Sequence, residues 1–192
     1  MHTSEQLTDE QLIFNYREGD SSAFVEIVNR HLKPVYNFIY RLCGDKKDAE
    51  EIAQESFLKV WKNIERFREG EKFKTWFYTI ARNTTIDWMR KKKSLIFSEF
   101  DREDGGNFLE DNLVDTEPVA DELFELGENK KIVEELLLEL PVHYREVLLL
   151  RYHKGLDFSE IAIALKRSIN TIKSQHRRVL LILRKKIADA PK

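Results

Sequence analysis

Two short amphipathic segments separated by a break of three or four residues dominate the C-terminal third of the chain. They lie in LDFSEIAIALKRSINTIKSQHRRVLLILRKKI, Leu156 to Ile187. Ser159 with Glu160 opens a predicted helix whose inward residues are Ile161, Ala162 and Leu165. Lys166-Arg167-Ser168 interrupts it, and Ser168 can cap a second helix with Ile169, Ile172, Val179, Leu180 and Leu183 at core spacing. Helices this short are not stable separately, so the pair must cross and share a core, and small Ala162 suits a tight crossing. A helix-turn-helix is the predicted result. Its second helix presents Asn170, Thr171, Lys173, Ser174, Gln175, Arg177 and Arg178 outward, donor-rich side chains of the types that bond base edges and phosphates. No acidic residue occurs from Ser168 to Lys186, where a surface helix bound to nothing would intersperse Glu. The pattern points to a basic helix in the major groove of DNA.

The remaining sequence is also helical in pattern. Thr8 with Gln11 has capping-box spacing, and Gly19 ends a first short helix. Ser21 or Ser22 can cap a second helix with Phe24, Ile27, Val28, Val35, Phe38, Ile39 and Leu42 at helical spacing, which Pro34 should kink or divide. Gly44 stops that helix and Asp45 caps a third, striped by Ile52, Ala53, Phe57, Val60, Trp61 and Ile64. A polar connection leads to a fourth helix, where Trp76, Phe77, Ile80 and Trp88 should be mostly core and Lys74, Tyr78, Arg82, Asn83, Asp87 and Arg90 exposed. From Ser94 to about Asp115 periodicity fails, and helical spacing resumes near Val119. The predicted fold is all-α: two small helical domains, residues 1–93 and 119–192, joined by a flexible acidic linker over residues 94–118.

Charge is distributed unevenly enough to matter. Residues 94–135 hold three basic and fourteen acidic side chains, whereas residues 141–192 hold twelve basic and four acidic ones. The first 93 residues are nearly balanced but end on Arg90-Lys91-Lys92-Lys93. Two polyanion-binding bodies joined by a polyanion-like tether fit this arrangement. The single cysteine, Cys43, lies in an apolar stretch and reads as a small buried hydrophobe. With no long apolar run and a polar N-terminus, neither a membrane span nor a signal peptide is expected, and the protein is expected to be cytoplasmic.

LPVHYREVLLLRYHKGLDFSEIAIALKRSINTIKS resembles the fourth-region DNA-binding domain of bacterial RNA polymerase sigma factors, although helix-turn-helix regulators of the two-component type share part of that pattern. DAEEIAQESFLKVWKNI (Asp48 to Ile64) and FKTWFYTIARNTTIDWMRKKK (Phe73 to Lys93) are similar to the second region of the same family. The short chain resembles the extracytoplasmic-function (ECF) subfamily. The resemblance implies a subunit that binds core polymerase and reads two promoter elements. It implies that the third helix docks on the β′ clamp coiled coil through Asp48, Glu51, Gln54, Glu55, Phe57, Lys59 and Trp61. It places minus-ten recognition and melting on Lys74, Tyr78, Arg82, Asn83, Arg90 and Lys91, with a base pocket at Asn83 and the segment Phe67 to Phe73. Upstream (minus-thirty-five) recognition falls on Ser168, Asn170, Thr171, Lys173, Ser174, Gln175, Arg177 and Arg178. Further implied partners are the β flap and an anti-sigma factor, with the free protein a monomer and no cofactor.

This sequence departs from the family pattern in the turn. Lys166 stands where glycine is usual, at a cost of about 1 kcal/mol if the backbone is left-handed, so a reshaped turn is expected. Arg167 stands where an apolar residue is usual, and Gln175 replaces an arginine. Glutamine can bond adenine bidentately whereas arginine favours guanine. A conventional regulator would instead dimerise on paired half-sites. The five histidines show no ligand spacing and no Gly-rich phosphate loop or nucleophile–base pair occurs, so nothing suggests an enzyme.

Overall fold

The computed structural model describes residues 7–97 and 130–188. Among the described residues every element is helical and there are no strands. Four helices form the N-terminal half: α1 (Asp9–Arg17), α2 (Ser21–Cys43), α3 (Lys46–Asn63) and α4 (Phe73–Phe97), with a 3₁₀ turn at Ile64–Arg66. The C-terminal half has α5 (Lys130–Glu139), α6 (Val142–Leu148) running into a π-helical segment (Leu149–His153), α7 (Phe158–Leu165) and α8 (Ile169–Ala188). The expected linker beyond Phe97, and the spacing that resumes at Val119, fall outside the described residues. Helix α4 itself continues past the boundary expected at residue 93.

Helix starts follow side-chain capping. Thr8 and Gln11 form the predicted capping box, and Asp45 accepts from the Asp48 backbone N–H. Two other caps differ from expectation. Asp20, not a serine, caps α2, and Asp157 with Glu160 forms a capping box that starts α7 before Ser159. In both places a carboxylate outcompetes the neighbouring hydroxyl, helped by the positive end of the helix dipole. Pro34 sits inside α2 without dividing it. Gly44, left-handed with φ 83°, ends that helix.

The N-terminal core is aromatic. Phe38, Phe73 and Phe77 are wholly buried, and Phe77 meets Phe57 edge-on with centroids 4.9 Å apart. The C-terminal core is aliphatic, built from Leu140, Val147, Leu148, Leu150, Ile161, Leu165, Ile172, Val179 and Leu183. At the α7–α8 crossing Ala164 takes the fully buried place expected of Ala162, which is half-buried. Ile169, expected in the core, is 38% exposed.

The halves pack against one another, chiefly through α4 on α7 and through α2 on α5, α6 and the π-helical segment. At that seam Leu138 Cδ2 comes within 3.0 Å of where a side chain on Gly44 would begin. Cys43 beside it is half-buried, with Sγ 3.4 Å from the Asp45 carbonyl oxygen, and burial raises its thiol pKa.

Candidate nucleic-acid interface

Asn83 lies on α4 at the edge of a hollow of about 370 Å³ that is also lined by Lys59, Asn63, Arg66, Trp76, Ile80 and Thr84. Trp76 supplies a flat wall, half-buried above Phe67 and Phe73, whose centroids lie 5.4 and 5.9 Å from its own. Lys59 reaches across from α3 to donate to Thr84 Oγ1 at 3.1 Å. A flat aromatic wall, an amide and two cationic side chains at one opening suit a base swung out of its stack with its phosphate alongside. Asn63, Arg66 and Thr84 carry no signal of this site in the sequence, and Trp76 reads there as core, because the hollow forms only where α3 and α4 cross. Lys74, Asp87 and Arg90 are exposed on α4 as expected, as is Lys91, whereas Arg82 and Asn83, expected exposed, are half-buried because the C-terminal half closes over Arg82.

Tyr78 is a correction. Expected on the outer face of α4, it is 2% exposed and its phenol is pushed well above its ordinary pKa by burial. The cause is the C-terminal half, which covers this stretch of α4 and sets the Lys154 ammonium 4.9 Å from the ring centroid. Tyr78 therefore has no access to a ligand in this arrangement.

The residues of α3 that the resemblance assigns to polymerase docking divide between two sides. Gln54, Phe57 and Trp61 line an open apolar groove of about 870 Å³ against Phe24, Val28, Leu32 and Tyr36 of α2. Trp61 is half exposed and donates its indole N–H to Tyr16 Oη at 2.8 Å. Asp48, Glu55 and Lys59 turn towards α4 or each other: Lys92 Nζ donates to Asp48 at 2.6 Å, and Lys59 pairs with Glu55 at 2.8 Å. Glu51 is exposed.

In the helix-turn-helix, Lys166 adopts φ 52° and ψ 45°, the left-handed conformation that glycine would take most easily. The expected reshaping of the turn does not occur. Packing of α7 on α8 holds the geometry, and Lys166 carries the strain. Ser168 Oγ accepts from the Thr171 backbone N–H at 3.1 Å, as its capping role predicts. Asn170, Thr171, Lys173 and Ser174 are exposed on α8, whereas Gln175, Arg177 and Arg178 are half-buried. Gln175 Oε1 accepts from Arg167 Nη1 at 3.1 Å, and that guanidinium also lies 2.8 Å from the Glu146 carboxylate. Farther round the helix His176 stacks beside Tyr152 and accepts or donates a 2.8 Å hydrogen bond with its hydroxyl. Burial and then nearby Arg151 lower the His176 pKa.

The seam between halves engages several of these candidates. Arg82 Nε donates to Glu146 Oε2 at 2.7 Å, and Arg82 Nη1 donates to the Asn83 side-chain oxygen at 3.0 Å. Arg145 donates to the Leu42 carbonyl, and Lys154 to the Pro34 carbonyl at 2.7 Å. Burial, aided by Arg41 and Lys74, lowers the Lys154 pKa to about 8. Lys72 pairs with Glu160 at 2.8 Å. Burial works to raise that carboxyl, but the Lys72 bond and the capping N–H of Asp157 hold it below its ordinary value. Among the described residues no helix is long and apolar enough to cross a membrane.

Comparison with known proteins covers both halves. Residues 27–95 match the family Sigma-70 region 2, and residues 130–183 match Sigma-70, region 4. The ECF RNA polymerase sigma factor SigW of Bacillus subtilis is 34% identical over 175 residues, 90% of this chain and 93% of that protein. The ECF RNA polymerase sigma-E factor of Haemophilus influenzae is 30% identical, covering 96% of this chain and 97% of its own. Two solved structures share the fold at a TM-score of 0.65. One is CnrH in complex with the cytosolic domain of CnrY, 23% identical over 95% of this chain and 99% of its own. The other is the sigma factor RpoE in complex with the anti-sigma factor NepR from Bartonella quintana, 21% identical over 88% of this chain and 98% of its own.

Proposed function

Because the chain belongs to the ECF family of RNA polymerase sigma factors, and so directs core polymerase to specific promoters to initiate transcription, we propose a division of labour between its two halves. Residues 1–93 bind core polymerase and open the minus-ten element, and residues 119–192 read the upstream element. The hollow at Asn83 is the observation that carries the first assignment. An extruded base enters it, stacks on Trp76 and bonds the Asn83 amide, while Lys74, Arg82, Arg90 and Lys91 follow the phosphates. The protein makes and breaks no covalent bond in this process.

The apolar groove between α2 and α3 receives the β′ clamp coiled coil. Its rim of Glu50, Gln54 and Lys33 around Phe57, Leu58 and Trp61 suits a separable interface. Residues 168–178 enter the major groove of the upstream element, with the β flap holding this half on the polymerase. The acidic residues 94–118 lie in a positively charged channel of the polymerase near the RNA exit path. The protein acts in the cytoplasm as a monomer when free. An anti-sigma factor is a further partner, supported by the folds found in complexes with such factors. Because Arg82 is engaged by Glu146 in the packed arrangement, promoter reading requires the halves to separate.

Transcription with purified core polymerase tests the assignments. Asn83→Ala is expected to leave polymerase binding intact and to abolish permanganate reactivity of thymines at the minus-ten element. Normal melting by that variant would remove Asn83 from the pocket role. Deletion of Asp101 to Glu117 is expected to impair open-complex formation or promoter escape. If both are unchanged, the segment is a tether only.

A further inference from the structure

Arg167 occupies the turn between α7 and α8, with its backbone N–H donating to the Ala162 carbonyl at 3.1 Å. Its guanidinium lies between two partners. On one side is the Glu146 carboxylate, with no exposed surface, at 2.8 Å; on the other is Gln175 Oε1 at 3.1 Å. All three residues belong to the C-terminal half, so the chain Glu146–Arg167–Gln175 does not depend on α4. Separation of the halves removes only Arg82 from the second oxygen of Glu146.

We propose that Arg167 is a specificity-positioning residue for the upstream element: anchored on Glu146, it holds the Gln175 carbonyl and leaves the amide N–H₂ to donate into the groove. The inference rests on α8 being the base-reading helix. Its chemistry is directional. A guanidinium only donates, so the Gln175 atom facing it is the oxygen and the amide orientation is fixed. A free glutamine reads adenine with both atoms, accepting from N6–H₂ and donating to N7. With one lone pair of its oxygen taken by Arg167 and that oxygen turned towards the turn, Gln175 offers its N–H₂ as the group that faces a base. The amide N–H₂ matches guanine, which accepts at both N7 and O6, better than adenine, which accepts at N7 but sets an N6–H₂ donor beside it. Arginine in the turn therefore restores through glutamine the guanine preference that a direct arginine would have.

The test uses the full-length chain with core polymerase on templates varied through the upstream element. The base pair that Gln175 reads is located as the one whose preference Gln175→Ala abolishes. The unsubstituted chain is expected to favour guanine there. Arg167→Leu frees the carbonyl and should move the ratio towards adenine by about fivefold or more. Glu146→Gln should move it in the same direction, because a neutral amide anchors the guanidinium less firmly. Arg167→Leu combined with Gln175→Ala should behave as Gln175→Ala alone.

Unchanged base preference in an Arg167→Leu protein that initiates normally would overturn the proposal. So would a shift that persists in the double variant. Should Arg167→Leu fail to fold, Arg167→Met keeps a longer aliphatic stem in the turn but removes Nη1, the one nitrogen that meets both Glu146 and Gln175. It must then show the shift, and its absence overturns the proposal equally. If Gln175→Ala itself leaves every preference intact, α8 does not read bases through Gln175. That failure of the underlying reading is separate from failure of Arg167 alone.

Discussion

The two halves bury different chemistry. Among the described residues the N-terminal half encloses aromatic rings and a few hydroxyls, Ser56, Thr75, Thr84 and Thr85, but no charged side chain. The C-terminal half has an aliphatic core yet buries Arg145, Glu146 and Lys154. All three face the N-terminal half, through the Leu42 carbonyl, Arg82 and the Pro34 carbonyl. One half thus buries no charge, whereas the other hides charge only where it docks. Buried ion pairs contribute little net stability but are costly to leave half-made. A seam of this kind fixes one registration and can still release into water.

The largest effect that would sharpen this contrast is in the aromatic core. Phe77→Ala should destabilise the N-terminal half by about 3–5 kcal/mol, read by calorimetry, with the docking seam lost as a consequence. Glu146→Ala should act at the seam instead, leaving Arg82 and Arg167 without their carboxylate at a cost of about 3 kcal/mol. Small-angle scattering is expected to show separated halves while helical content is retained. Collapse of both cores together in that variant would break the comparison.

Docking should also depend on pH through Lys154. Its pKa falls from its ordinary 10.5 to about 8 when docked, so the separated form binds the proton more tightly between those values. Docking therefore strengthens as pH rises from about 8 to 10.5, by on the order of 3 kcal/mol. The groups facing the ammonium from neighbouring elements are Tyr78, Lys74 and Arg41. Lys154→Met should flatten that dependence in the same scattering measurement. The smallest effect lies in the turn: Lys166→Gly relieves the left-handed strain and should stabilise the C-terminal half by about 0.5–1 kcal/mol. A loss of stability there would mean the lysine side chain contributes more than its backbone costs.

Most of the fold was legible because amphipathic spacing and caps are local. Thr8, Asp45 and Ser168 cap as their neighbours in sequence predict. Beside Asp20 and Asp157 the pattern also offers serines as caps, and carboxylate charge at a helix start decides between them. What local pattern cannot carry is the seam. Tyr78 looks exposed on α4 until the C-terminal half covers it, and Glu146 looks like one polar residue in an apolar run until Arg82 and Arg167 converge on it. The Asn83 site was legible in part. Resemblance points to its amide, but no residue of the segment Phe67 to Phe73 lines the hollow, and Trp76 reads as core because spacing cannot tell a wall from a filling.

The lone thiol next to Gly44 gives the molecule a built-in stopwatch. With a single cysteine in the sequence, alkylation reports one place only, and that place adjoins the contact between Gly44 and Leu138. Cys43 is half-buried with a raised pKa, so modification is slow until the neighbouring helix withdraws. Followed over time, reagent uptake counts openings of the seam without any engineered label. Addition of core polymerase is expected to run that clock faster.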